Sequence, residues 1–207
     1  MAYSGGIAMT ALLKLLTSPD QGWASIAAKP PSLFSVVGLQ LTVLALLPAA
    51  AWFYGVTHAG WTLPSGENTF RMTQESASVI IVLFYGAMVV GTLSLGVMIH
   101  WMSATYGAEP SWQKSMTLAT YTNMPLFITG CVGLWPALWF DLILGTLAAC
   151  YAVYLLYTGI PPMMGVPRER GYLFASAALA VGLVMFIGLM GVTVMLWEMG
   201  AMPVFTD

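Results

Sequence analysis

Apolar residues gather along the chain into five long stretches, Leu33–Phe53, Ser78–Trp101, Ser115–Trp135, Ala137–Thr158 and Leu173–Trp197, with most polar residues between them. A helix crossing the hydrocarbon core needs about 20 mostly apolar residues, because each one advances it by only about 1.5 Å. Every stretch meets that length. The pattern predicts an all-α, polytopic membrane protein built as a five-helix transmembrane bundle. Ahead of the first stretch, Ile7–Leu16 reads as a short amphipathic helix lying at the membrane interface or packed on the end of the bundle. Pro19 is expected to end that helix, and Trp23 to sit at headgroup depth. The segment lacks the basic lead and the cleavage site of a secretory signal peptide. Residues 1–32 are thus read as a cytoplasmic N-terminal segment, 33–198 as a five-span domain and 199–207 as a short outer tail.

Charge agrees with this reading and adds a direction. Hydrophobic residues make up 59% of the 207 and charged ones 7%, against roughly 25% charged in a soluble domain. So few charges cannot clothe a water-facing surface. All six Lys and Arg residues lie outside the five stretches, as expected when such a side chain at mid-bilayer costs about 2.5–3.5 kcal/mol. With an odd number of crossings, a cytoplasmic N-terminus puts Lys14, Lys29, Lys114, Arg168 and Arg170 inside and leaves Arg71 alone outside. That distribution obeys the positive-inside rule, and the reverse orientation violates it. The expected topology is N-terminus in, C-terminus out.

Motif chemistry is sparse. No phosphate-cradling GxxxxGK[ST], nucleophile elbow or HExxH is present, so neither catalysis nor a cofactor is expected, and nothing suggests nucleic-acid binding. Cys131 and Cys150 fit no metal or redox spacing. The predicted spans place them at depths that differ by about 13 Å, too far for a disulfide. The fifteen Met residues are scattered without His or Cys partners, as packing residues are. His58 and His100 fall on opposite sides and form no common site.

Polar residues inside the spans are where function is to be sought, since hydrocarbon penalises each one that lacks a partner. The third stretch carries Thr120-Tyr121-Thr122-Asn123-Met124-Pro125. Pro125 has no N–H and crowds the carbonyl of Tyr121, which then wants a donor such as Asn123 or a neighbouring Thr. With Gly130 and Gly133 following, the outer half of this span is expected to be conformationally loose. The segment reads either as a kink glued to its neighbours or as a broken helix lining a polar cavity. Asp141 is the one carboxylate clearly within a span, about a turn into its helix, where the macrodipole favours it. Tyr151 needs a hydroxyl partner from another helix. The candidate intramembrane cluster is therefore Tyr121, Asn123, Pro125, Asp141 and Tyr151. Between the last two spans, Gly159–Tyr172 contains Pro161, Pro162 and Pro167, which should stop the helix at Gly159 and make a stiff loop. Its Arg168, Glu169 and Arg170 form the candidate cytoplasmic contact loop, poised for anionic headgroups or an acidic partner.

These same segments carry a family likeness. The run Tyr151-Ala-Val-Tyr154-Leu-Leu-Tyr157-Thr-Gly159-Ile-Pro161, continuing to Arg168-Glu169-Arg170-Gly171-Tyr172, resembles bacterial members of the Ypt-interacting protein (Yip) family. Tyr121-Thr-Asn-Met-Pro125 is similar to the family's Tyr-x-x-x-Pro element in span three, and Leu15-Leu16-Thr-Ser-Pro19 with Trp23 to its opening. The resemblance implies a five-span bundle with a cytoplasmic N-terminus, in the inner membrane for the bacterial branch. Eukaryotic relatives bind prenylated Rab-type GTPases and partner membrane proteins. This sequence does not contain their long N-terminal segment with its Asp-Leu-Tyr-Gly-Pro motif, and Thr120 stands where they have Gly, so GTPase binding is doubtful here.

Two functional readings compete. One is a non-enzymatic scaffold that organises membrane proteins, itself as a homo-oligomer, or lipid. The other is a small transporter or channel subunit using the kinked third span and Asp141. An odd span count suits no simple inverted repeat, which favours the scaffold.

Overall fold

The computed structural model describes residues 14–62 and 69–206. Residues 7–13 of the expected interfacial helix lie outside that range. Residues 14–17 are helical, and Pro19 then opens a new helix, α1 (Pro19–Ala28), at the position where its missing N–H is harmless. Among the described residues four helices are long and apolar enough to cross a membrane: α2 (Phe34–Ala59), α3 (Gln74–Tyr106), α6 (Leu138–Met164) and α7 (Arg168–Ala201). The stretch expected as a single third span is instead α4 (Trp112–Thr122), α5 (Met124–Thr129) and a 3₁₀ segment, Gly130–Leu134. Large apolar side chains stand exposed along the long helices, among them Val82, Leu142, Ile187 and Val194, as a hydrocarbon-facing surface requires.

The chain divides into two compact units. The first comprises the chain up to Leu41, Thr92–Asn123 and Tyr151–Leu183. Here α4 packs on the first turns of α2, and all its residues from Ser115 to Thr122 are buried. Trp23 is not at a surface; it is fully enclosed. Its indole fills the space left by Gly159, where a Cβ would come within 2.6 Å of the ring and 2.7 Å of Leu118. Gly96 likewise makes room for the Met116 sulfur, and Tyr106 stacks flat on Phe174 with centroids 4.8 Å apart.

The prolines of the expected loop do not end α6. It continues through Pro161 and Pro162 to Met164. Near a C-terminus only a few hydrogen bonds remain to be lost, so two missing N–H groups are tolerated there. Termination comes instead at Gly165, whose φ of +68° takes the left-handed conformation that glycine adopts without strain. Its N–H and that of Val166 both reach the Pro161 carbonyl, at 2.9 and 3.2 Å. The connection shrinks to Gly165-Val166-Pro167, and Arg168, Glu169 and Arg170 become the first turn of α7. Gly171 lets the two helices approach, with Pro161 lying where its Cβ would be.

The second unit comprises Thr42–Gly91, Met124–Cys150 and Val184–Asp207. Its centre is the packing of α2 on the 3₁₀ segment. Gly130 rests on Pro48, Gly133 on the Trp52 indole, and a Cβ on Gly55 would overlap the carbonyl oxygen of Gly133. These glycines are not loose; they are the small residues that let helices close without a hydrophobic drive to push them. The connection between α2 and α3 carries a short hairpin, β1 (Trp61–Thr62) against β2 (Thr69–Phe70). The C-terminal tail is pinned to the same region: Thr73 N–H reaches Val204 O at 2.9 Å, Thr206 N–H reaches Arg71 O at 2.8 Å, and Phe205 meets Phe70 edge-on.

The glycine packing yields a prediction. Gly55→Val should lower the melting temperature in detergent sharply, in line with about 1–3 kcal/mol for overpacking a filled site. Gly145→Ala, whose Cβ meets nothing within 4 Å, should leave it unchanged. Equal behaviour of the two variants would refute the close approach.

Candidate functional site

The third stretch breaks at Asn123. Its backbone (φ −83°, ψ −7°) leaves the helix, and its N–H caps α4 by reaching the carbonyls of Ala119 and Tyr121. The Tyr121 carbonyl that Pro125 would orphan is therefore served by the Asn123 backbone. The Asn123 side chain is thereby released to bond to a different helix, and its Nδ2 donates to Thr92 Oγ1 on α3 at 3.1 Å. Pro125 lies buried in the first turn of α5, a place that suits its fixed φ.

Tyr121 is 1% exposed. Its hydroxyl donates to Gln40 Oε1 at 2.6 Å, and Gln40 Nε2 donates onward to Ser35 Oγ at 3.2 Å. Two polar links thus tie α4 to its neighbours, one to α2 and one to α3. Around them Thr117 donates to the Gln113 carbonyl at 2.7 Å, and Gln113 Nε2 donates to the carbonyls of Pro30 and Pro31 at 3.0 and 2.7 Å. Two hydroxyls on the same helix, those of Ser115 and Thr122, are buried without a partner among the described residues. Tyr151 also belongs to the first unit, but it bonds elsewhere: its hydroxyl donates to the carbonyls of Leu15 and Leu16 at 2.9 and 3.2 Å, anchoring the start of the described chain to α6.

Asp141 lies in the second unit, in the first turn of α6. Its carboxylate oxygens are shielded and accept no aligned hydrogen bond among the described residues, the Ala137 N–H offering only a loose electrostatic contact. Of the five residues expected to form one intramembrane cluster, the structure joins Tyr121 and Asn123 through α4 alone. Tyr151 makes a separate anchor. Gln40 and Thr92 escaped the sequence reading, although an amide within the apolar run Leu33–Phe53 was itself a signal.

Arg168, Glu169 and Arg170 are all exposed at the start of α7. Arg170 lies against Gly107, whose Cβ would come within 2.9 Å of a guanidinium nitrogen. Arg168 lines a cleft of about 590 Å³ together with Asp20, Tyr157, Thr158 and Tyr172. Among the described residues no three His, Cys, Asp or Glu side chains gather into a metal-binding group.

Four long apolar helices with large apolar side chains exposed along them define a helical membrane protein. The chain belongs to the Yip family: the family model described as the Yip1 domain matches residues 13–189. It is 33% identical over 186 residues to the inner membrane protein YohC of Escherichia coli strain K12, covering 90% of this chain and 95% of that protein. YohC from E. coli O6:H1 strain CFT073 gives the same figures. No solved structure matches the chain significantly.

The Tyr121–Gln40 link can be measured. A double-mutant cycle with Tyr121→Phe and Gln40→Leu, followed by unfolding in detergent, should give a coupling of about 0.6–1.7 kcal/mol, the range for intramembrane hydrogen bonds. Additive losses would mean that the bond does not hold the helices.

Proposed function

We propose that this protein is a non-enzymatic membrane scaffold that acts through its helices, its connections and lipid, in the inner membrane with N-terminus in and C-terminus out. The observation that carries the reading is the destination of the intramembrane polar groups. Tyr121, Gln40, Asn123, Thr92 and Tyr151 bond to other groups of the protein, and Tyr121, Thr120 and Thr122 are buried. A solute pathway needs such groups turned toward water; a rigid contact platform needs them turned inward.

The topology proposal counts five crossings, four by the long helices and the fifth by α4, α5 and the 3₁₀ segment in series. That series has a contour length of about 36 Å from its helical rises, enough for a hydrocarbon core of about 30 Å. The positive-inside count then supports the stated orientation. The name of YohC places that relative in an inner membrane, which supports the same address here. Homo-oligomers or other membrane proteins are the proposed partners, in addition to the bilayer. The transport alternative keeps one supporting observation, the shielded Asp141 carboxylate, which accepts no aligned hydrogen bond among the described residues.

Two measurements bear on this. In liposomes, Asn123→Ala and Asp141→Asn should leave ion and solute flux at the level of the unmodified protein; a loss of flux in either would favour the transporter. Reporter fusions should place the two termini in opposite compartments, and finding both in one would remove the five-crossing topology.

A further inference from the structure

The cleft at the α6–α7 turn unites features that the fold does not need for its own stability. Asp20 enters it from the first turn of α1 and Arg168 from the first residue of α7. The two charges line one cavity, yet neither has an ion-pair or hydrogen-bond partner among the described residues. Opposite charges in one cleft that do not neutralise each other are spaced for something that carries both signs.

The wall between them adds acceptors. Tyr157 and Thr158 line the cleft, and their carbonyls would ordinarily receive the N–H groups four residues on. Those positions are Pro161 and Pro162, which have none. The consecutive prolines, tolerated within α6, thus deny the backbone oxygens of two cleft-lining residues their usual donors. An ammonium group, rich in donors and positively charged, suits Asp20 and those oxygens. A phosphate suits Arg168, whose planar donor fork matches its oxygens. The ring of Tyr172, 6.2 Å from that of Tyr157, borders the cleft.

Position selects among zwitterions. The cleft lies where two apolar membrane-crossing helices meet their polar turn, at the boundary between hydrocarbon and water. Tyr172 and Leu173, 50% and 65% exposed, lead directly from the cleft onto the apolar surface of α7. Acyl chains can follow that surface while the headgroup occupies the cleft.

We propose that this cleft binds the phosphoethanolamine headgroup of a zwitterionic phospholipid, with phosphate on Arg168 and ammonium on Asp20 and the proline-freed carbonyls. The proposal uses only the membrane setting, so the flux result that decides between scaffold and transporter leaves it untouched.

Native mass spectrometry of the full chain in detergent, titrated with short-chain phosphatidylethanolamine, phosphatidylglycerol and free phosphoethanolamine, tests it. Phosphatidylethanolamine should bind in preference to phosphatidylglycerol, and Arg168→Gln should weaken it by about tenfold, the loss of one charge-assisted contact. Asp20→Asn should weaken phosphatidylethanolamine binding by removing the ammonium contact and so abolish the preference over phosphatidylglycerol. Glu169→Gln, exposed but outside the cleft lining, should change nothing, and melting temperatures should confirm that all three variants fold. Equal phosphatidylethanolamine binding by the unmodified protein, Arg168→Gln and Asp20→Asn would overturn the proposal. So would free phosphoethanolamine binding as tightly as the lipid, which would make the occupant a soluble metabolite.

Discussion

A polar group within hydrocarbon must find its partner inside the protein, and this requirement organises the first unit around α4. Tyr121 is enclosed and Asn123 and Gln40 are half-buried; each satisfies another group, and the bonds hold the helices that carry them in register. Breaking the helix at Asn123 serves the same end. The backbone of that residue caps α4, which frees its side chain to reach Thr92.

The second unit meets a different requirement by shape. Lipid is as apolar as a leucine side chain, so there is little hydrophobic gain in bringing two apolar helices together. Close backbone approach supplies dispersion contacts in its place. Gly130, Gly133 and Gly55 create that approach against Pro48, Trp52 and a backbone carbonyl. The polar links of α4 and the glycine contacts of the second unit are two ways of holding apolar helices together without a hydrophobic drive.

Much of the fold was legible because its signals are additive over long segments. Twenty apolar residues together outweigh any local exception, so the four long helices stand where the hydrophobic pattern put them. Local exceptions were harder to read. Pro161 and Pro162 break a helix in its interior, but the nearby C-terminus at Gly165 made them tolerable, and only the three-dimensional course of α7 shows that the turn needs just three residues. Gly130 and Gly133 were ambiguous for a similar reason: glycine loosens an isolated chain and tightens a packed one, and the sequence does not name the neighbour that decides. The Tyr121–Asn123 segment announces its polar residues and a proline distortion locally, whereas its partners Gln40 and Thr92 lie about eighty and thirty residues away, beyond any local pattern. Trp23 misled because its amphipathic ring fits a headgroup layer as well as the slot beside Gly159.

The central claim is that the polar face of α4 is sealed within the protein. In a background with Cys131→Ala and Cys150→Ala, single substitutions Thr120→Cys and Thr122→Cys can be exposed in intact cells and in inverted vesicles to a small membrane-impermeant thiol reagent. Sealed packing predicts no labelling at either position from either side, with Thr158→Cys in the open cleft labelled from one side as the positive control. Rapid labelling at Thr120→Cys or Thr122→Cys would show water at the heart of the bundle and contradict the account.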